Sequence, residues 1–440
     1  MAEDATLELE RVYVALAERM RALRQNGELT ESAEHELRTQ QMASLAALTE
    51  LPPPDDLTPL SASSSSLPPI TEIHAISDLH FDQPLPWRCK CAAGCRTPMD
   101  WLRALGASPP APSSSLSPSS SSPHSPSLPC HLSAFAFAFA EPAAAVAVAA
   151  AIVVAGDVAD SFSATLTALA ELKRRYTRVF WLPGNHELFL RGDDARAFPD
   201  SWCKLFARRQ ACARLGIETS PALVTPSVVV APLLSWYDGG AFFAGTDDPA
   251  ASSSSSSLRF DAPCDWGPVC EKDVHRVMLS LGKRQLATAR AAASGRGDGA
   301  SVLITATHFL PRRDLPFHGG IMQQAMGCVA LGAAVLPALG AAVLGGGGGG
   351  DGPGRQQRQQ HIHVYGHSHV NVDRDDLGDS VRYVQHSLAG GGGRGGGTRS
   401  SLLAGGASSS SSAATASSAP RSCDCFKPLC LWRAPDNQTS

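Results

Sequence analysis

A short segment of the chain, HIHVYGHSHV at residues 361–370, is rich in histidine. Imidazoles at this density can bind metal ions if carboxylates or amides from elsewhere in the chain reach the same place. Four other segments offer such groups, namely DLH, GDVAD, GNHE and a single TH. The candidate site residues of the five segments are Asp78, His80, Asp157, Asn185, His186, His308, His367 and His369.

The types of these residues indicate the metals that they could bind. Mixed imidazole and carboxylate ligands suit Mn, Fe or Zn better than Ca or Mg, which prefer oxygen ligands. The set is too large for one tetrahedral ion and about right for two, which a carboxylate such as Asp157 could bridge. Such a pair can lower the pKa of a bound water from about 15.7 towards 7, which yields a bridging hydroxide for attack on phosphorus. Any one of these residues could instead be a capping or solvated group.

Short strands must position these groups. ITEIHAI, AIVVAG, RVFWLPG, SVLITAT and HIHVYG each run directly into one of the polar segments. A helical segment, SFSATLTALAELKRRY, follows the second strand, and buried strands alternating with helices indicate an α/β fold. Functional groups in such sheets cluster beyond the carboxyl ends of the strands, so we expect the five segments to converge there.

In this order, the five segments resemble the motifs of the calcineurin-like metallophosphoesterase superfamily, from about Ile70 to His386. The resemblance implies a four-layer α-β-β-α sandwich with a dinuclear metal site at one edge. It implies that one ion is held by Asp78, His80, Asp157 and His369. It implies that the other ion is held by the bridging Asp157 with Asn185, His308 and His367. His186 would lie beside the substrate, stabilise the transition state and protonate the leaving oxygen.

Departures from two branches of the superfamily narrow the expected function. Protein serine/threonine phosphatases carry Arg-Gly after the second aspartate of the GDVAD motif, where this chain has Ser161 and Phe162. Purple acid phosphatases have a tyrosine ligand where this chain has Asp160, which we expect to support the site or belong to its loop. Arg312 and Arg313 could contact an anionic substrate, although a solvated pair on a loop is an equal alternative.

The function expected from these features is hydrolysis of phosphate mono- or diesters by a dinuclear metal centre, with Mn or a mixed Fe/Zn pair preferred. A phosphorylated small molecule or ester is the expected substrate. One alternative is a scaffold with weak or lost catalysis that binds a protein partner through N-terminal helices. A nuclease on the same fold is another alternative, which the low content of basic residues disfavours.

The remaining histidines of the opening segment receive a structural interpretation. His361 and His363 have the same strand parity as His367 and His369, but they lie too far back along the strand to reach the metals. We therefore expect them to be residues of the strand face.

Composition divides the chain into segments. Residues 1–50 are expected to be helical because Leu9, Tyr13, Leu16, Met20 and Leu23 form one apolar stripe. Residues 51–69 are a predicted linker, and 70–390 form the predicted catalytic domain. Low-complexity insertions at about 88–142, 250–258 and 345–360, and a tail at 391–440, are expected to be largely disordered. The N-terminal helices could pack on the main domain or bind a partner.

Charge and cysteine content indicate a cytoplasmic protein. The 440 residues carry a formal net charge of −4 and 18% charged residues, which argues against a strongly basic nucleic-acid binder. The acidic start, MAEDATLELE, does not fit a signal or transit peptide, and the apolar run at 143–156 is too short to span a membrane. The twelve cysteines are expected to be reduced, and the groups CKCAAGC and CDCFKPLC lack the spacing of structural zinc sites.

Overall fold

The computed structural model describes residues 2–51, 69–83, 97–104, 148–240, 242, 261–294, 302–317, 321–335, 360–389 and 427–434. Most of the predicted linker and most of each predicted insertion lie outside these residues. The helices are α1 Ala2–Gln25, α2 Glu31–Glu50, α3 Pro98–Ala104, α4 Phe162–Lys173, α5 Asp193–Ala197, α6 Ser201–Arg214, α7 Val274–Ser294 and α8 Val329–Val335. The strands are β1 Glu72–Ile76, β2 Val148–Ala155, β3 Tyr176–Leu182, β4 Ala222–Thr225, β5 Val228–Pro232, β6 Val302–Ala306, β7 Gln360–Val364, β8 Val372–Arg374, β9 Val381–Gln385 and β10 Leu429–Arg433.

The described strands form two sheets. The first has the order β10-β1-β2-β3 and the second the order β4-β5-β6-β7-β9-β8. The strands that precede the polar segments, β1, β2 and β3 in one sheet and β6 and β7 in the other, are parallel to their neighbours within that group. Parallel strands place their carboxyl ends at one edge of a sheet, which is why the polar segments converge.

The sheets and helices stack in four layers. Ile73, Val153, Ile304 and Val364 belong to one buried apolar cluster between the two sheets. Residues of α4 and α6 cover the outer face of the first sheet, and residues of α7 and α8 cover the outer face of the second. Strands such as β2 and β5 therefore alternate between residues that contact the other sheet and residues that contact the outer helices. The predicted α-β-β-α sandwich is confirmed.

The two N-terminal helices form a hairpin that packs on this sandwich. Tyr13 and Leu45 share a buried cluster with Trp202 of α6 and Met278 of α7. The Tyr13 hydroxyl donates to Asp200 Oδ2 at 3.0 Å, which ties α1 to the start of α6. Of the two alternatives for the N-terminal helices, the structure therefore shows packing on the main domain.

The sequence-based segments need two corrections. The expected insertion at 88–142 contains α3, in which Trp101 and Leu102 are 1% and 0% exposed and pack in the same cluster as α4. The expected disordered tail contains β10, which pairs antiparallel with β1 and buries Leu431 between the sheets. Both elements are held by contacts with residues distant in sequence, which composition does not reveal.

None of the helices within the described residues combines the length and the apolar character needed to cross a membrane.

Candidate metal centre

The structure brings all eight predicted site residues together at one edge of the sandwich. They come from the loops that follow β1, β2, β3, β6 and β7. Backbone hydrogen bonds join these loops: Asp78 N donates to Gly156 O at 3.0 Å, and Gly366 N donates to His308 O at 3.0 Å. The two sheets meet at the same edge, where Ser77 N donates to His386 O at 3.0 Å.

The backbone is strained at the candidate ligands. Among the described residues, six non-glycine residues have positive φ, and one of them is Ser380. The other five are Asp78, His80, Asp157, His367 and His369. A positive φ is unfavourable for a side chain with a Cβ, at about 1 kcal/mol or more, and such strain concentrates at functional sites. The loops are therefore shaped to aim these side chains at a common point.

The first group of candidate ligands includes Asp157 and three residues from the loops after β1 and β7. Ligand atoms of Asp78, His80, Asp157 and His369 all lie within 4.8 Å of one another. The Nε2 atoms of His80 and His369 are 3.2 Å apart, and His369 Nε2 is 3.6 Å from Asp78 Oδ1. His80 Nε2 is 3.9 Å from Asp157 Oδ2. Two imidazole nitrogens and two carboxylates thus face one small volume.

The second group of candidate ligands also includes Asp157. Ligand atoms of Asp157, His308 and His367 lie within 4.8 Å of one another. His308 Nε2 is 3.3 Å from Asp157 Oδ2 and 3.2 Å from Asn185 Oδ1. His367 Nε2 is buried and has no hydrogen-bond partner within the described part of the chain. Asp157 is the residue that the two groups share.

Hydrogen bonds determine which atom each ligand presents. The Nδ1 atom of His308 lies 2.9 Å from Ala155 O, so Nδ1 carries the proton and Nε2 is left to accept or to bind a metal. Asn185 Nδ2 donates to Asp261 Oδ1 at 2.9 Å, which turns Asn185 Oδ1 towards His308. His367 N donates to Asp78 Oδ1 at 2.8 Å. The donor atoms are therefore oriented before any metal binds.

The protonation states also suit metal binding. Burial alone would raise the pKa of Asp157, but the imidazoles of His308 and His186 outweigh burial and hold that pKa well below its usual value. Burial would lower the pKa of His308, but the Asp157 carboxylate raises it to about 9. Burial and the nearby His308 lower the pKa of His367 to about 3. Ionised Asp157 and neutral His367 are thus in the forms that bind metals, whereas His308 would have to release its Nε2 proton when a metal binds.

Two glycines allow the loops to approach this closely. A Cβ on Gly184 would lie 2.1 Å from Asp157 Oδ1, and a Cβ on Gly156 would lie 2.6 Å from Gly184 N. Gly156 also has a φ of +79°, which favours glycine. A larger residue at Gly184 would displace Asp157, and a larger residue at Gly156 would displace Gly184 or His308.

His186 lies at the rim of the site. Its Nε2 is 3.9 Å from Asp157 Oδ2, and its Nδ1 is 2.6 Å from Asp160 Oδ1. Burial would lower the pKa of His186, but the carboxylates of Asp157 and Asp160 raise it to about 9. The expectation that Asp160 supports the site matches this contact.

Sequence reasoning assigned no role to two residues that hold the site in place. Glu187 is fully buried and accepts from the backbone amides of Asp157, Val158 and Gly184 at 2.9, 2.6 and 2.7 Å. Its position in the GNHE segment was a signal that could have found it. Asp261, the partner of Asn185, carries no such signal because it lies 76 residues further along the chain.

Arg312 is held by residues near the end of the second sheet. It donates to Asp314 Oδ1 at 2.5 Å and to Asp379, and its guanidinium carbon lies 5.3 Å from the ring centroid of Tyr383. These contacts occupy the donors that a substrate would need, so the structure favours the loop alternative for Arg312. Arg313 is exposed on the same loop, and its role as a substrate contact stays a prediction.

The other two histidines of the segment 361–370, His361 and His363, are buried on the outer face of the second sheet. His361 Nε2 and His363 Nδ1 each lie 2.8 Å from the Thr305 hydroxyl, and His363 Nε2 lies 3.1 Å from the Thr307 hydroxyl. They are strand-face residues that take part in a buried hydrogen-bond network.

A third group of possible ligands, Glu72, His74 and Cys430, lies where β1 pairs with β10. Glu72 accepts from Arg433 Nε at 2.8 Å and is 3.0 Å from His74 Nε2. These partners satisfy the carboxylate without a metal, so we assign the group no binding role.

Comparison with known proteins agrees with the resemblance seen in the motifs. Residues 72–220 match the family model described as calcineurin-like phosphoesterase. A solved structure with a similar fold is a phosphopantetheinyl hydrolase from Mycobacterium tuberculosis, at 18% identity and a TM-score of 0.44, covering 72% of this chain and 88% of that one. No curated protein matched the chain. Residues 72–220 are thus identified as a calcineurin-like phosphoesterase domain, and this match supports hydrolysis of phosphoric ester bonds.

Proposed function

We propose that this chain hydrolyses phosphate mono- or diesters with a pair of metal ions that share Asp157. The observation that carries the proposal is that the Asp157 carboxylate belongs to both groups of candidate ligands. A shared carboxylate is what two ions about 3.5–4 Å apart require.

The residues present fit such ions. Imidazoles and carboxylates together suit Mn, Fe or Zn, which we propose as the metals. The close approach of His80 Nε2 to His369 Nε2 is unfavourable when both nitrogens carry lone pairs, and a cation between them would remove that repulsion. The buried His367 Nε2, without a partner among the described residues, is a further donor available to a metal.

We assign the ligands as the motif resemblance implies. One ion would be held by Asp78, His80, Asp157 and His369, and the other by Asp157, Asn185, His308 and His367. When bound, such a pair would polarise the phosphoryl oxygens and lower the pKa of a bound water. The strained loops would hold the protein ligands in place throughout the reaction, so that little reorganisation is needed.

His186 is the proposed general acid. Asp160 accepts from Nδ1, so Nε2 is the nitrogen left facing the candidate ligands. The pKa of about 9 keeps the imidazole protonated at neutral pH, ready to donate to the leaving oxygen. A positive imidazole beside the phosphoryl group also stabilises the charge that develops in the transition state.

The proposal is tested by replacing the shared carboxylate. Purified full-length protein with Mn²⁺ is expected to release nitrophenol from 4-nitrophenyl phosphate. Asp157→Asn removes the bridging anion and should abolish release. Asp193→Asn changes a highly exposed carboxylate on α5 and serves as the matched control, with an unchanged rate. Equal rates for Asp157→Asn and the parent protein would show that the shared carboxylate is not needed.

A scaffold that only binds a protein partner is the competing proposal. The complete set of eight side chains supports hydrolysis, because a scaffold has no need to retain strained ligand loops. Deleting residues 1–50 would separate partner binding from hydrolysis. Because Tyr13 and Leu45 are part of a buried cluster, the stability of the deleted protein must be measured alongside its activity.

A further inference from the structure

An arginine lies beside His186 on the side away from the candidate metal ligands. Arg191 Nη1 donates a hydrogen bond to Asp160 Oδ2, and Oδ1 of the same carboxylate lies 2.6 Å from His186 Nδ1. The opposite ring nitrogen, His186 Nε2, is the one that faces Asp157, at 3.9 Å. Asp160 therefore lies between the imidazole and the guanidinium, and Arg191 is on the outer side of the proposed general acid.

An aromatic ring holds this guanidinium in place. The guanidinium carbon of Arg191 lies 4.4 Å from the ring centroid of Phe189, and that ring lies 4.8 Å from the His186 ring. A guanidinium over an aromatic face gains cation–π attraction and loses rotational freedom. Arg191 is therefore oriented even though its side chain is 53% exposed.

Most of the hydrogen-bonding capacity of Arg191 is directed at solvent. A guanidinium has five N–H donors, and the acceptor that the described part of the chain supplies to this one is a single oxygen of Asp160. The single negative charge of Asp160 is also shared with His186. An exposed ion pair of this kind contributes only about 0–1 kcal/mol to stability, so folding does not account for the placement.

The other cations near these loops are already engaged. Lys204 and Arg208 are fully buried, and they donate to backbone carbonyls of the same loops. Arg312 donates to two aspartates. Of these four cations, Arg191 is the one that combines a fixed position beside His186 with donors open to a ligand.

We propose that Arg191 binds a second anionic group, a phosphate or a carboxylate, carried by the leaving group of the substrate. This inference rests on the proposed function, in which His186 protonates the leaving oxygen. Arg191 lies on the Nδ1 side of His186, whereas Asp157 lies on the Nε2 side. Arg191 is therefore positioned to bind an anion on the leaving group and not the phosphoryl group beside Asp157. The expected substrates are therefore phosphate esters whose leaving group is itself negatively charged.

Kinetics with a matched pair of substrates test this subsite. Phenyl phosphate and 3-carboxyphenyl phosphate differ by one carboxylate on the leaving group. The parent protein with Mn²⁺ should show the higher kcat/KM for the carboxylated ester. Arg191→Met should lower the ratio of the two kcat/KM values about tenfold, the effect of losing one charge-assisted contact. Arg191→Lys should restore part of the ratio, and Arg196→Met, on the exposed α5, should leave the ratio unchanged.

Binding provides a measurement that does not depend on turnover. Calorimetric titration of the Mn²⁺-loaded protein would compare methylenediphosphonate, which has two anionic centres, with methylphosphonate, which has one. Arg191→Met should weaken binding of the first about tenfold more than binding of the second. This discrimination in a protein that hydrolyses neither ester would support the subsite and refute the proposed hydrolysis. An unchanged ratio in both experiments, or a parent protein that does not discriminate, would overturn the subsite.

Discussion

The imidazoles of His80 and His369 face each other with their Nε2 atoms 3.2 Å apart, although 289 residues separate them in the chain. Asp78 and Asp157 complete the same group, and every ligand atom in it lies within 4.8 Å of the others. When neither Nε2 carries a proton, the two lone pairs repel each other, whereas a metal ion between them would satisfy both. The pair therefore provides a direct test of the first proposed ion.

His369→Ala is expected to lower the metal content of the reconstituted protein from two ions per chain to one, because it removes a ligand that the second group does not use. Elemental analysis after dialysis measures this content. His35→Ala, which changes an exposed histidine of α2, is the matched control and should keep two ions. A metal content that is the same in His369→Ala as in the parent would contradict the assignment.

Asp160→Asn is expected to lower kcat about 10–100-fold while the metal content stays unchanged. Asp160 binds His186 Nδ1 and so fixes the orientation and charge of the proposed general acid, but it is not among the candidate ligands. Steady-state kinetics and elemental analysis on one preparation measure both quantities. Loss of metal in Asp160→Asn would mean that this carboxylate supports the ligands instead.

Gly184→Ala is expected to abolish hydrolysis because the added Cβ would lie 2.1 Å from Asp157 Oδ1. The Asp157 side chain must then move away from both groups of ligands. Gly282→Ala offers a matched control within α7, where the Cβ would lie no closer than 3.4 Å to Leu234 O. That change should keep activity and stabilise the helix by up to about 1 kcal/mol. Activity assays with thermal unfolding would detect both effects, and an active Gly184→Ala protein would show that the loops can separate freely.

The buried network of His361 and His363 predicts a loss of stability in acid. Burial lowers the pKa of His361 to about 4 and that of His363 well below its ordinary value of 6.5. The unfolded chain takes up protons as the pH falls through about 6.5, whereas the folded chain resists until about 4, so stability is lost across that window. The expected slope is up to about 1.4 kcal/mol per pH unit for each histidine.

Urea unfolding at pH 8, 7, 6 and 5 measures this slope. A His361→Gln/His363→Gln variant should be less stable than the parent at pH 8 and should show a flatter dependence below pH 6.5. Comparing the two proteins isolates these histidines from those of the metal centre, because the latter are unchanged. Parallel pH profiles would show that the two histidines do not titrate as proposed.

The candidate metal ligands could be predicted from the sequence because the position of each depends on local order. A buried strand that ends in Asp, Asn or His places that side chain at the carboxyl edge of a parallel sheet, whatever the rest of the chain does. Asp78, Asp157 and His308 were found in this way, since each lies two residues beyond the end of its strand. The α-β-β-α layering followed from the same alternation of strands and helices.

Tertiary structure alone decided the contacts between residues that are distant in the chain. Asp261 orients Asn185, Arg191 meets Asp160, and β10 completes the first sheet from a segment whose composition indicated disorder. No local pattern encodes these pairs, because each depends on where separate loops and strands come to rest once the two sheets have packed together. The sequence by itself therefore determined which groups could perform the chemistry, while the packed fold decided which residues hold them and which cation lies beside His186.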